Sequence, residues 1–401
     1  YSILSFILIL LPLVILHEFG HYFSARFFKI KVLEFGFGFP PKLFSYWSSQ
    51  KEIFYNKNDF NFDNFSGKKV FISTYVKDNF ENISNLFLDR KSSLNSGIEN
   101  YEVKIDQVNE NSILVKEMQW SFNLLPLGGF VRPFGEDNSK HPDSFYVKNS
   151  LQRFIVLVSG VLINLLLPFI LFFFSSLLIS EVNKSDLTIL LINDNSPAEK
   201  SGLKIGDRIL KIENKEIYNM NDLQRILTSN LGNNISVMVN RGVPNPFAES
   251  WEDDFLYQDK FVEIEAMPRW DPPPGEGALG ISISVDNNRV IKVKNSFTNS
   301  IQNSYESVFQ LVTLSINSVK AIFNESSNPQ FSGPVAVGPV GISQITGSVA
   351  SSELTINSKI KVYIELISIL SLSLGIINLL PIPALDGGRI LFVFIEISCA
   401  L

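Results

Sequence analysis

Three uncharged stretches interrupt an otherwise mixed chain: Ile3 to Leu16, Phe154 to Ser180 and Leu366 to Leu385. The second and third reach the roughly 20 residues needed to cross about 30 Å of hydrocarbon, which predicts membrane helices. The first reaches that length only by continuing through His17 to Phe28, carrying ionisable groups into the bilayer. Such groups are rare there unless they face protein and serve a function. A fourth run, Ile390 to Leu401, is cut by the end of the chain and no initiator Met opens it, so the sequence reads as a fragment clipped at both ends. A secretory signal fits the first run poorly, because it has neither a basic start nor a small-residue cleavage site.

Orientation follows from the cations near the segment ends. Arg26, Lys29, Lys31 and Lys42 follow the first run, and Lys148 and Arg153 precede or open the second. The positive-inside rule then puts that loop in the cytoplasm. Four spans return the stretch between the third and fourth to the same side and leave Glu181 to about Glu365 outside.

Composition narrows the partners. Of 401 residues 45% are hydrophobic and 18% charged, and 34 Lys+Arg against 40 Asp+Glu leave a net charge of -6. That balance argues against a nucleic acid bound through its phosphates. A single cysteine, Cys399, excludes an intrachain disulfide and any Cys-based zinc cluster. A metal must therefore be held by His and carboxylates.

Inside the first run stands His17-Glu18-Phe19-Gly20-His21, an HExxH pattern in which two imidazoles at i and i+4 share one helix face and can reach one zinc ion. Two core histidines with a capping Glu would be the structural alternative. Leaving such groups unpaired at membrane depth costs about 2.5–3.5 kcal/mol each. A catalytic zinc takes three protein ligands and an open position. The only other histidine, His141, lies in the polar loop His141-Pro142-Asp143-Ser144 and reads as a solvated turn. Asp386 is the better third ligand. It follows Asn378-Leu379-Leu380-Pro381-Ile382-Pro383-Ala384-Leu385, and the topological count puts it on the side where His17 and His21 sit. Pro381 and Pro383 break the helix at a depth where only a protein-lined or wet cavity tolerates free backbone.

His17 to His21 together with Asn378 to Gly388 resembles the site-2 protease family of intramembrane zinc metalloproteases, in its bacterial PDZ-containing branch of regulated intramembrane proteolysis. Ser159-Gly160-Val161-Leu162-Ile163-Asn164 is similar to the family's GPxxN stretch, with Val161 in place of proline. Leu125-Pro126-Leu127-Gly128-Gly129-Phe130-Val131 resembles its PLGGxV segment, on a membrane-associated β loop. Phe35 to Pro40 resembles its GFGP segment, and Gly333-Pro334-Val335 with Gly338 to Ile342 its GPVGI segment.

The resemblance implies one Zn²⁺ held by His17, His21 and Asp386, with Glu18 as general base on its water and as proton donor to the leaving amine. Asn378 and Asn164 would steady the oxyanion or the substrate backbone, unless they only bond between helices. Gly128, Gly129 and Phe130 would hold an unwound substrate as an added strand, unless they form an ordinary turn.

The soluble parts are read separately. Leu187 to Ile192 reads as a strand, and Asn195-Ser196-Pro197-Ala198 as a capped helix start. Ser201 to Ile212 is similar to the bacterial PDZ core, with Asn221 to Leu227 as the groove helix. Such a domain binds a peptide or substrate ectodomain, or stands as a steric filter. Two insertions depart from the family, Ser49 to Lys116 and Pro244 to Pro274, and runs such as Lys69 to Val76 suggest appended strands. Val308, Leu311, Val312, Leu314 and Ile316 lie at helical spacing within Ser304 to Phe323, a candidate for the outer membrane surface.

The expected fold is a polytopic α-helical membrane protein with about four transmembrane helices, a membrane-associated β loop and an inserted extracytoplasmic α+β PDZ domain. Its expected parts are a first span at 1–28, a cytoplasmic β region at 29–150 with the insertion at 49–116, a second span at 151–180, and a PDZ domain at 183–285 with the insertion at 244–274. A juxtamembrane region at 286–360, a third span at 361–386 and a truncated fourth at 387–401 complete it. The expected activity is cleavage of single-pass or signal-peptide-derived helices, in the plasma membrane of a bacterium, with the active site near the cytoplasmic side. A catalytically silent PDZ scaffold is the alternative. A zinc transporter would need further intramembrane carboxylates, and Glu396 alone offers one.

Overall fold

The computed structural model describes residues 2–62, 65–96, 99–136, 139–178, 181–247, 255–292, 295–323, 339–352, 355–383 and 385–399. Gly333 to Val335, Gly338, Ala384 and 248–254 of the second insertion lie outside them. The chain divides into two compact units: 1–168 with 343–351 and 365–401, and 169–342 with 352–364.

The first unit opens with helix α1 (Ser2–Phe27). It ends in a Schellman cap: Lys29 takes the left-handed conformation (φ 55°), its N–H donates to Arg26 O, and the Ile30 N–H reaches back to Ala25 O. This cap turns the chain straight into strand β1 (Val32–Phe54). Strand β5 (Ser112–Pro133) is its partner, and both strands fold back on themselves. Residues 32–37 of β1 consequently pair on one side with 129–133 and on the other with 119–122, as in Phe35 opposite both Val131 and Trp120. Phe37, Phe122 and Phe44 stack across this ribbon with centroids 4.7 and 4.4 Å apart.

The insertion predicted as appended strands holds β2 (Lys69–Lys77), β3 (Phe80–Phe87), helix α2 (Arg90–Asn95) and β4 (Tyr101–Val108). These close with β1 and β5 into a barrel of order β1-β3-β2-β4-β5. Ile53, Ile72, Val103, Ile105, Ile113 and Val115 fill one layer of its interior. The other layer is ionic. The Glu81 carboxylate accepts from Lys31 Nζ at 2.9 Å, Tyr101 Oη at 2.8 Å and Thr74 Oγ1 at 2.6 Å, and its other oxygen forms an ion pair with Lys51 Nζ at 2.6 Å. His141 is not the solvated turn its sequence suggests. It is buried, its Nδ1 accepts from the Asp143 N–H, and its Nε2 lies 3.5 Å from Glu81. Loop polarity misleads here because the polar groups satisfy one another rather than water.

Helix α3 (Ser150–Leu178) starts in this unit. The second unit carries β6 (Glu181–Ile192), α4 (Pro197–Ser201), β7 (Asp207–Ile212), β8 (Lys215–Glu216), α5 (Met220–Ser229), β9 (Ile235–Pro244), β10 (Phe255–Ala266) and β11 (Ile281–Lys292). The predicted helix start is as expected: Ser196 caps α4 by accepting from the Glu199 N–H, and Pro197 opens it. The sheet order is β10-β9-β7-β6-β11, with β8 on β7. β11 is an edge strand. Leu187, Ile189, Ile209, Leu223, Ile226 and Val237 form the core.

Helix α6 (Phe297–Phe323) follows, and part of its apolar stripe packs against protein. Val308 and Leu311 are buried within the unit, where α6 meets α5. Glu306 pairs with Lys215 at 2.8 Å and Asn317 Nδ2 donates to Thr228 O at 3.0 Å. Phe297, Ile301, Tyr305, Phe309 and Ile316 are exposed.

Helices α7 (Pro339–Ser351), α8 (Ile356–Leu379) and α9 (Asp386–Cys399) follow. Among the described residues three helices are long and apolar enough to span a membrane, Ile7–Phe27, Ser150–Leu178 and Ile356–Leu379. The 14 residues of α9 cover about 21 Å at 1.5 Å each. The predicted third span, extending to 386, stops earlier: α8 ends at Leu379, before the two prolines, and Asp386 is the first residue of α9.

The ionic layer has a pH signature. Burial pushes the Glu81 carboxyl up, but His141, Lys31, Lys51 and Thr74 outweigh it and hold it well below the usual carboxylate range. A depressed folded pKa contributes stability above the unfolded value near 4.3, and that contribution is lost as pH falls below it. Limited proteolysis of β2 and β3 is expected to accelerate from pH 5 towards pH 3. Glu81→Gln should already be cleaved faster at pH 7, by the 3–5 kcal/mol of a broken buried pair, with a flatter acid profile.

Candidate metal centre

His17 and His21 stand one turn apart on α1, so both rings leave the same face. His17 Nε2 lies 3.0 Å from Asp386 Oδ2, His21 Nε2 lies 3.2 Å from it, and the two imidazole nitrogens are 3.2 Å apart. Ligands about 2.0–2.1 Å from a tetrahedral zinc stand roughly 3.3 Å from one another, so this triangle has the size of one face of such a site. Two unprotonated nitrogens at this distance repel unless a cation lies beside both. Among the described residues no other group of three or more His, Cys, Asp or Glu side chains converges in this way.

The outer hydrogen bonds test the fit. His21 Nδ1 donates to the Val156 carbonyl of α3 at 2.8 Å, which leaves Nε2 with its lone pair towards the triangle. Asn164, also on α3, is placed with Nδ2 3.2 Å from His17 Nδ1 and with its buried Oδ1 lacking any partner. Turning this amide by 180° lets Oδ1 accept from His17 Nδ1–H and frees His17 Nε2 as a ligand. With that assignment, two neutral imidazoles and one carboxylate make a set that suits zinc.

Gly20 and Gly160 explain how the rings reach this place. A Cβ on Gly20 would stand 2.6 Å from Ser159 O, and one on Gly160 only 2.3 Å from His21 Nε2. α1 and α3 therefore meet backbone to backbone, with the His21 ring in the space a side chain would take. Asp386 is fixed from the other side. A Cβ on Gly387 would stand 2.1 Å from Leu380 O and one on Gly388 2.5 Å from Ile382 O, so the first turn of α9 lies hard against the segment after α8.

A cavity of about 530 Å³ opens on the triangle, lined by Glu18, Gly128, Gly129, Phe130 and Asn378 along with the three ligands. The Glu18 Cγ is 3.2 Å from where a Gly129 Cβ would be, and the Val131 N–H approaches its carboxylate as a backbone donor. Residues 129–133 pair with β1 on one edge, and among the described residues their other edge has no strand partner. Asn378 Nδ2 lies 3.3 Å from His17 Nε2.

The structure thus brings His17, Glu18, His21, Asn378, Asp386 and the glycine strand together at one cavity. Asn164 lies on the Nδ1 side of His17 and is not among the cavity-lining residues. Sequence reasoning missed the Val156 carbonyl and the Gly20–Gly160 crossing. The only signal for the crossing was that each glycine sits inside a motif.

The sequence profile described as Peptidase family M50 matches residues 5–56 and 105–399. The unmatched interior, 57–104, carries β2, β3, α2 and half of β4. The chain is 26% identical to a protein of Bacillus licheniformis named Zinc metalloprotease RasP, over 98% of this chain and 90% of that relative. It is 25% identical to the Regulator of sigma-W protease RasP of Bacillus subtilis, with the same coverage. A Rickettsia conorii protein with the provisional name of zinc metalloprotease is 25% identical, over 98% of this chain and 88% of its own length.

The Gly20–Gly160 crossing gives the sharpest test of the geometry. Gly160→Ala should displace the His21 ring while α3 remains a helix. Zinc bound per purified chain is expected to fall at least tenfold, whereas Gly277→Ala, where a Cβ meets nothing within 4 Å, should leave it unchanged.

Proposed function

The chain belongs to peptidase family M50, and from that premise we propose that it is a zinc-dependent intramembrane endopeptidase hydrolysing peptide bonds in membrane-spanning segments of single-pass or signal-peptide-derived proteins. One observation carries the reading: three ligand-type side chains converge beside a glutamate at the wall of one cavity, and two of them, with that glutamate, stand on a helix apolar enough to span a membrane. The names of the relatives support zinc and proteolysis.

One zinc ion fits His17, His21 and Asp386. When bound, it supplies Lewis-acid polarisation and a water acidic enough to attack at neutral pH. The protein groups do the rest. Glu18 takes the proton of the attacking water and returns it to the leaving amine. The Asn378 amide donates towards the oxygen on which negative charge develops. A helical substrate hides its carbonyls in i to i−4 hydrogen bonds and must unwind before attack. The free edge of residues 129–133 offers main-chain partners to the extended segment, and Gly129 holds that edge close beside Glu18.

In this reading the chain is multi-pass, with four spans, in the plasma membrane of a bacterium. The catalytic cavity faces the cytoplasmic half and residues 183–285 form an extracytoplasmic PDZ domain. The edge strand β11 offers that domain a site for strand addition by a peptide or substrate ectodomain, and the domain also excludes bulky ectodomains.

Glu18→Gln should abolish cleavage of a tagged single-pass substrate in membranes, by at least about 10²-fold, while zinc stays bound. Asp386→Ala should lose both zinc and cleavage. A cleaved fragment persisting with Glu18→Gln would leave the silent PDZ scaffold as the better reading.

A further inference from the structure

The cavity has a second polar feature that the chemistry does not use. Arg389 and Glu136 both line it, and they face each other in a two-pronged ion pair, Nη1 to Oε1 at 3.0 Å and Nη2 to Oε2 at 3.3 Å. Their side chains are 55% and 35% exposed, so the pair sits at the wet rim rather than in the depth. Arg389 is three residues after Asp386 on α9, hence on the same face one turn away. Glu136 is three residues beyond the end of β5, the strand that carries Gly128 and Gly129. The pair therefore spans the mouth, joining the helix of the third ligand to the end of the strand offered to the substrate.

Both ends are held firmly. Gly387 and Gly388 leave α9 no slack against Leu380 to Pro383. Gly135, at φ 63°, is seated so tightly that a Cβ would lie 2.5 Å from the Ser144 Cβ and 2.6 Å from the Ser139 Cβ. Closure of the mouth thus falls to the two side chains, not to loop backbone. An exposed ion pair is worth only up to about 1 kcal/mol, weak enough to open thermally and to be screened by salt.

The geometry points to Arg389 and Glu136 as access-determining residues. Their ion pair is a latch across the cavity mouth, and an extended polypeptide must part it to lie along residues 129–133. The inference rests on the proposed peptidase reading for its purpose, but its test does not. The full-length chain carrying Cys399→Ser and Val14→Cys places one thiol on the cavity wall, to be labelled with a charged, water-soluble maleimide in membranes. Glu136→Gln in that background should label roughly fivefold faster, the population change for about 1 kcal/mol. Raising salt should speed the parent but not the variant, and the swap Glu136→Arg with Arg389→Glu should return labelling to the parent rate. For cleavage, Glu136→Gln should lower KM with kcat and zinc content unchanged. Equal labelling rates in parent and variant would overturn the latch. So would loss of zinc in Glu136→Gln, which would make the pair a bolt for Asp386. Because labelling needs neither zinc nor substrate, either result leaves the Glu18→Gln test of proteolysis independent.

Discussion

Where α1 crosses α3, neither backbone leaves space for a methyl group: Ser159 O lies 2.6 Å from a Cβ position on Gly20, and the His21 ring lies 2.3 Å from one on Gly160. Everything at the cavity depends on this contact. It lets the Val156 carbonyl reach His21 Nδ1 and puts Asn164 against His17 Nδ1, so α3 sets the orientation of both rings of α1. Small residues permit such close approach where lipid gives helices no hydrophobic reason to associate. Ser24 Oγ and Ser159 Oγ add a hydrogen bond of 2.7 Å across the same crossing. With the rings fixed, the carboxylate of Asp386 needs only the sharp turn between α8 and α9 to complete the triangle.

The second constraint is the path from α1 to residues 129–133. The Schellman cap at Lys29 ends α1 and launches β1 without a loop, so the strand paired with residues 129–133 is an extension of the helix that carries Glu18. Lys31, two residues past the cap, is anchored in the barrel by Glu81, Glu117 and Tyr101. Glu81 comes from the interior stretch that the family profile does not match. The added barrel is therefore welded by buried charge to the foot of α1, and a buried pair of this kind resists the loss of either partner.

The site was legible in the sequence because its chemistry is written locally. His17, Glu18 and His21 are spaced by one helical turn, and ionisable groups in an apolar run demand a partner. Asp386 emerged from the same argument combined with the topological count. What remained hidden is long-range or masked by composition. Strands of 23 and 22 residues that fold back at Pro40–Pro41 and near Gly128 give no single alternating pattern, so the barrel could be read only as loose strands. His141 looked solvated because polar residues in a loop carry no sign of mutual burial with a distant partner such as Glu81 on β3. Arg389 and Glu136 are 253 positions apart, and nothing in either neighbourhood announces the pairing. The boundary of α8 was misjudged because uncharged residues continue past the prolines that end the helix.

The most direct measurement of the central claim is zinc K-edge X-ray absorption on the purified full-length chain. The expected spectrum has two imidazole nitrogens at about 2.0–2.1 Å and oxygen ligands at about 2.0–2.2 Å, with no sulfur at about 2.3 Å, and His21→Ala should remove one imidazole from it. A sulfur-bound ion, or a spectrum that His21→Ala leaves unchanged, would show that zinc binds elsewhere and would contradict the account.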